Sequence, residues 1–168
     1  ALMLAVRCGL FDIKAITTVC GNSTISNTTR NARFILNLLN RNDIPVFSGA
    51  NKPLKRKLIQ AVVHGKSGLE GINPKNRPLL TNDAVEKILD IVEKNPNQIT
   101  LVTLGPLTNI AKAILKDPKT MMKVSEIISM GGAIRVAGNK NRVSEFNIFV
   151  DPDAADIVFR FPIKKTII

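Results

Sequence analysis

The sequence predicts an α/β fold, an open, mostly parallel, Rossmann-like sheet flanked by helices, in a single domain spanning residues 1–168. Three observations predict it. Short runs rich in Ile, Val and Thr alternate with amphipathic stretches, the pattern of a parallel sheet with crossover helices. Each amphipathic stretch repeats its apolar residues at i, i+3, i+4 and i+7, as a helix with one buried face does. Four of the strand-like runs lead into glycine and polar residues, as expected where an open sheet presents its carboxyl edge to a ligand.

The elements follow in order. Residues 1–6 read as the interior of a helix. A strand is expected over 13–19, then a helix whose apolar face is Ala32, Ile35, Leu36 and Leu39. Residues 46–47 form the next strand. The longest irregular stretch, 49–80, is rich in Gly, Pro, Asn and Lys, and so long a loop inside a compact domain is usually functional. Val85, Ile88, Leu89 and Val92 mark the following helix, with Asp83 and Glu86 spaced as a capping box. A strand over 99–104 precedes the helix of Leu107, Ile110, Ala111 and Ile114. A strand over 125–130 comes next. Asp151 followed by Pro152 reads as an N-cap with proline in the first helical position, opening the helix of Ala154, Ile157, Val158 and Phe161. The last strand is expected over 163–168.

Composition excludes several classes. The chain has 168 residues, 24 basic and 13 acidic, a net charge of +11 and 45% hydrophobic residues. That is globular composition, not disordered, collagen-like or low-complexity. No apolar run reaches the ~18 residues of a membrane span, so no membrane partner is expected. The two cysteines, Cys8 and Cys20, sit among apolar residues without metal-ligand spacing. They read as buried free thiols in a reducing compartment, with a cytoplasmic location. The positive charge raises nucleic-acid binding, but its distribution opposes it. Lys and Arg are scattered apart from the cluster Lys52, Lys55, Arg56 and Lys57. There is no Trp or Tyr, and the seven Phe do not interleave with the basic residues.

Candidate chemistry gathers at the strand ends, in Cys20-Gly21-Asn22, Phe47-Ser48-Gly49, Leu104-Gly105-Pro106 and Met130-Gly131-Gly132. Neither G-x-G-x-x-G nor a Walker A motif occurs there, so nucleotide phosphate binding is not supported. The polar residues assigned to that edge are Asn22, His64, Asn139, Glu145 and Asn147. Amides and a carboxylate suit hydroxyl recognition, since both accept hydrogen bonds and the amides also donate, which points to a polyol or sugar. Taken singly, each has an ordinary reading: loop asparagines form turns, a lone histidine is structural, and a lone glutamate is a surface charge.

Several ordered motifs together resemble the inosine–uridine-preferring nucleoside hydrolases. They are Ala15-Ile16-Thr17-Thr18-Val19 with Gly21-Asn22, Thr29-Arg30-Asn31-Ala32, and Ile44-Pro45-Val46 leading to Gly49 and Lys52-Pro53-Leu54. His64-Gly65, Gly105-Pro106-Leu107-Thr108-Asn109-Ile110-Ala111, Met130-Gly131-Gly132, and Glu145-Phe146-Asn147 leading to Asp151-Pro152 complete the set. The resemblance covers the whole chain. It implies hydrolysis of the N-glycosidic bond of ribonucleosides to ribose and free base, with Ca2+ activating the water. By position it assigns Asn22, Asn139, Glu145 and Asn147 to the ribose, His64 to the rim of the pocket, and Met130 to packing against the sugar. It assigns the Leu104 backbone carbonyl to the metal. Glu145 would also set negative charge beside a developing cation. The resemblance further implies a homodimer or homotetramer.

Departures temper what the chain itself would do. The family's aspartate-rich signature falls before Ala1, and a later aspartate and histidine fall beyond Ile168. The expectation is therefore a central portion, truncated at both ends, with most calcium ligands, the general base and the usual general acid missing, inactive alone and only marginally stable. Lys66 and Ser144 stand where the family more often has an acidic residue and Ala. Residues 159–165 look slightly shortened. The alternative reading is a non-catalytic ribonucleoside-binding remnant. A third is a basic interaction protein using the Lys52–Lys57 cluster.

Overall fold

A computed structural model gives the fold, and it describes residues 1–61, 65, 67–69, 71–72, 74–75 and 78–168. The chain is α/β with every strand pairing parallel. It divides into two compact units. One comprises Ala1–Asn51 with Gln60–Ala84, the other Lys52–Ile59 with Val85–Ile168.

The first unit contains α1 (Leu2–Arg7), β1 (Ile16–Thr18), α2 (Ile25–Leu38) and β2 (Val46–Ser48). Helix α2 starts at Thr24, a threonine in extended backbone whose side chain accepts the Asn27 N–H. That satisfies one of the amides a helix start leaves unpaired. Its expected apolar face is found at work: Ala32 and Leu36 are buried with Ile44 and Val46, and Leu2, Val6, Ile13 and Ile16 pack against them. β1 and β2 pair from Ile16–Val46 to Thr18–Ser48. Buried Thr18 and Thr29 share a hydroxyl hydrogen bond of 2.8 Å, tying strand to helix. β1 is shorter than the expected 13–19, because its ladder spans only those three positions.

One cysteine expectation fails. Cys20 is buried but Cys8 is exposed, and both are free. Cys8 caps α1, a helix with no buried residue, so its thiol faces solvent and donates to the Ala5 carbonyl at 3.3 Å.

The second unit contains most of α3 (Ala84–Lys94), then β3 (Thr100–Thr103), α4 (Thr108–Lys116), α5 (Pro118–Met121), β4 (Glu126–Ser129), α6 (Phe146–Val150), α7 (Pro152–Arg160) and β5 (Lys165–Ile167). The sheet order is β3-β4-β5, with Thr103 opposite Ser129 and Ser129 opposite Ile167 at its carboxyl end. The core is the sum of the predicted helix faces. Ile88, Val92, Leu107, Ile110, Ala111, Ile114, Ala154 and Val158 are all buried, with Met121, Val124 and Ile127. Burial of each large aliphatic side chain contributes about 1.5–3 kcal/mol.

Helices α5 and α6 were not expected. α5 repeats the Asp-Pro signal: the Asp117 carboxylate accepts from Thr120 N and Pro118 is the first helical residue. The capping box at Asp83 is not made by its Oδ1, which is buried without a hydrogen-bond partner. Glu86 pairs instead with Lys116.

Asp151 is the polar knot of this unit. It has no exposed surface. Its Oδ2 accepts from the Thr108 hydroxyl at 2.6 Å and from Leu54 N at 2.9 Å, and its Oδ1 accepts from Ala154 N at 3.1 Å. One carboxylate thus fastens residues 52–59, α4 and α7. Asp151→Ala strands three donors, two of them buried, and the expected loss is about 3–5 kcal/mol, since hydrogen bonds to charged groups contribute about 1.5–3 each and removing one partner strands the others. Thr108→Val, which strands one acceptor site only, should cost about 1.5–3 kcal/mol. Urea unfolding checks both, and an unchanged midpoint in Asp151→Ala would contradict the role.

Three carboxyls are held below their usual range by neighbouring donors. A hydrogen bond from Thr166, then Lys164, holds the Glu126 carboxyl below its usual pKa. Lys123 and then Thr120 do the same for Glu93, and the backbone and hydroxyl of Thr120 do so for Asp117. A carboxyl depressed on folding contributes stability that is present above its unfolded pKa and is lost as pH falls through the folded value. The thermal midpoint should therefore fall progressively as pH drops below the ordinary carboxylate range. The fall should be shallower in Glu126→Gln. A midpoint flat through that acid range would refute the assignment.

Candidate functional site

The site forms where β3 and β4 end. Beyond the last paired residues the backbone continues in register, with Met130 N donating to Thr103 O at 2.9 Å and Gly131 N to Ile168 O at 3.1 Å. The Thr103 hydroxyl donates to Ser129 Oγ at 2.9 Å. Leu104 is thereby set at the end of β3, beside the β4 end that carries Met130. Its side chain is half exposed.

Facing this edge is the start of α6. Glu145 is its N-cap, in extended backbone, and its Oε2 accepts from Asn147 N at 2.7 Å and Ile148 N at 3.4 Å. The carboxylate is only 7% exposed. A buried charge of this kind is tolerable because backbone donors and the helix start satisfy it. One residue into α6, Asn147 is 6% exposed and its Nδ2 donates to the Met130 carbonyl at 3.3 Å and to Met130 S at 3.2 Å. Asn139 closes the group. Its Oδ1 accepts from Phe146 N at 2.8 Å, and its Nδ2 donates to Glu145 Oε1 at 3.4 Å.

Four of the sequence-predicted residues, Met130, Asn139, Glu145 and Asn147, therefore share one hydrogen-bonded cluster. Asn22 is exposed and belongs to the first unit. His64 lies outside the described residues. Among the described residues no group of three or more His, Cys, Asp or Glu side chains could hold a metal ion. The cluster offers a fixed carboxylate oxygen, two amides and a thioether wall, which is chemistry for a neutral ligand rich in hydroxyls.

Two glycines make the cluster possible. A Cβ at Gly131 would stand 3.1 Å from Glu145 Oε2, so glycine lets β4 pass close to the carboxylate. Gly138 was not anticipated. A Cβ there would lie 2.1 Å from Ser144 O and 2.6 Å from Ser144 N, backbone atoms that cannot swing away. The loop between them returns on itself through the Asn141–Ser144 bridge and the Lys140 N–Ser144 O bond of 3.1 Å. The Gly-Asn pair at 138–139 is a turn signal, but the close approach to Ser144 is tertiary and leaves no mark in sequence.

Gly138→Ala should push the 139–145 loop outward and cost about 1–3 kcal/mol through overpacking. Amide exchange at Phe146 and Asn147 should speed up selectively, because Asn139 and Glu145 cap those groups. Uniform exchange rates with unchanged stability would show that the loop accommodates the methyl.

Comparisons place this geometry among known proteins. The family model described as inosine-uridine preferring nucleoside hydrolase matches residues 1–168. An uncharacterized protein of Schizosaccharomyces pombe is 45% identical over 160 residues, covering 93% of this chain and 52% of its own length. The pyrimidine-specific ribonucleoside hydrolase RihA of Citrobacter koseri is 45% identical over 164 residues, covering 95% of this chain and 52% of its own. Among solved structures, the plant nucleoside hydrolase PpNRh1 superposes with a TM-score of 0.94 at 37% identity, over 100% of this chain and 54% of that one. A purine-preferring ribonucleoside hydrolase from Gardnerella vaginalis gives 0.91 at 32%, over 99% and 55%. The chain spans about half the length of the curated relatives it matches. With the family model matching residues 1–168 and the ordered motifs in place, the chain belongs to the inosine–uridine preferring nucleoside hydrolase family.

Proposed function

We propose that Met130, Asn139, Glu145 and Asn147 bind the ribose of a ribonucleoside, and that the protein serves hydrolysis of the N-glycosidic bond to ribose and free base. The observation that carries this is Glu145: a buried carboxylate pinned by two backbone amides at the carboxyl edge of the sheet, in a chain of this family. Its Oε2 is occupied by backbone donors, while Oε1 meets only the long Asn139 contact and is the oxygen offered to a sugar hydroxyl.

As the glycosidic bond lengthens, positive charge develops on the ribosyl ring. A carboxylate already held in place stabilises that charge without reorganising, so it favours the transition state over the bound nucleoside. Asn147 and Asn139 orient the hydroxyls, and Met130, partly exposed, supplies an apolar wall. The family resemblance also assigns Asn22 and His64 to substrate binding.

The relatives' names span pyrimidine and purine preference, so the proposal stops at ribonucleoside. The Leu104 carbonyl is assigned to Ca2+. Such an ion takes about 6–8 oxygens, and the described residues do not amount to that site, so no step here runs through the metal. A homodimer or homotetramer is the assembly proposed. No helix among the described residues is long and apolar enough to cross a membrane.

The test compares ribose release from inosine and uridine by the full-length protein and its Glu145→Gln variant. Glutamine keeps a cap acceptor for α6, so folding should hold while turnover falls by about 10²–10³-fold. Equal turnover in the variant overturns the electrostatic role. Nucleoside binding by calorimetry without ribose release would instead make the protein a binding module.

A further inference from the structure

The first unit carries a cleft of about 740 Å³, lined by Arg30, Arg33, Phe34, Asn37, Asn42 and Lys75 between Pro74 and Pro78. That is within the range of small-molecule pockets, about 300–1,000 Å³. It takes no part in the chemistry assigned to Glu145. Arg30, Arg33, Phe34 and Asn37 follow i, i+3, i+4 and i+7 on α2, so one helix face supplies a wall of two guanidiniums around an aromatic ring.

Both guanidiniums are already oriented by backbone. Arg33 Nη2 donates to Val46 O at 3.3 Å, and Arg30 Nη2 donates to Ser67 O at 3.2 Å. Each guanidinium has five N–H donors, so most remain for a ligand. Among the described residues neither arginine, nor Lys75, has a carboxylate partner. Asp43, the nearest acid in sequence to the two arginines, is taken by Arg41 in a two-pronged pair at 2.8 and 2.9 Å. Among the described residues the cleft thus presents three cations without a carboxylate partner, a flat apolar surface and two exposed amides.

We propose that this cleft binds a nucleoside monophosphate. Planar guanidiniums recognise phosphate oxygens in pairs, and their fixed orientation reduces the entropy lost on binding. Phe34 gives the base a face to stack on, and the amides of Asn37 and Asn42 reach base edges. The ligand differs from the neutral nucleoside assigned to the Glu145 cluster by the phosphate the cations require.

The experiment is calorimetric titration of the protein with adenosine 5′-monophosphate, adenosine, inorganic phosphate and a ten-nucleotide single strand. The expected result is saturable one-to-one binding of the monophosphate that depends on Arg33 and Lys75, whereas any adenosine binding does not depend on them. Arg33→Gln combined with Lys75→Gln should weaken the monophosphate about tenfold or more at unchanged melting temperature. Glu145→Gln should leave it untouched, which separates this cleft from the ribose cluster. Equal affinity in the Arg33/Lys75 variant overturns the proposal. So does an affinity for the single strand that exceeds the monophosphate's and collapses with salt, since that marks a nucleic-acid surface. If inorganic phosphate binds as tightly as the monophosphate, Phe34 has no recognition role and the site takes a bare anion, which also overturns it.

Discussion

The candidate site depends on how one short helix is held at both ends. α6 has five residues, too few to be stable by its own backbone bonds. A carboxylate stands at each end. Glu145 caps its start, and Asp151 follows its last residue while capping α7. Asp151 can lie fully buried because a hydroxyl and two amides meet it, from α4, from residues 52–59 and from α7 itself. Without those donors the desolvation cost of the charge would be several kcal/mol. With them, the α6–α7 junction is fixed against the hydrophobic core, and Glu145 and Asn147 inherit a defined position at the strand ends. Asp151 needs no contact with substrate to matter to the site.

The two carboxylates illustrate different uses of the same chemistry. Asp151 spends both oxygens on protein donors. Glu145 spends one oxygen on two backbone amides and leaves the other only loosely held. The first arrangement is complete and therefore structural. The second is anchored and still open to a ligand, which is the arrangement electrostatic preorganisation requires.

Much of the fold was legible because its helices are amphipathic and its strands are apolar. The residues expected on the faces of α3, α4 and α7 are largely those found in the core. Strand centres were legible but their ends were not, since each ladder spans only three or four positions and residues such as Ile13 are apolar without pairing. α5 announced itself by Asp117-Pro118, the same signal that located α7 at Asp151-Pro152, and was overlooked because the helix has a single turn. In α6 the run Phe146-Asn147-Ile148-Phe149-Val150 is too short to show a period. Met130, Glu145 and Asn147 were assigned through ordered motifs, and Asn139 as a polar residue at the strand-end edge, none of them through periodicity. Gly138 escaped because its constraint is contact with the Ser144 backbone. Arg30 and Arg33 escaped because polar residues on a helix's outer face ordinarily read as solvated.

Charge distribution follows a similar logic. The net charge of +11 means that basic side chains outnumber the acids able to pair with them. Glu86, Glu93, Glu126, Asp90, Asp153 and Asp156 are each occupied by one lysine or arginine, Asp153 by Lys55 of the basic cluster. Most of these pairs are exposed and add little stability. What they decide is where the unpaired cations remain. Repulsion among scattered surface charges is weakened by water and salt, but cations gathered in a concave wall reinforce one another's field. Arg30, Arg33 and Lys75 line such a wall, and the two guanidiniums donate to the Ser67 and Val46 carbonyls, which cannot neutralise them. An anion entering there would relieve the mutual repulsion and satisfy the remaining donors. The same excess charge would penalise a cation at that surface, so the cleft selects by sign before it selects by shape.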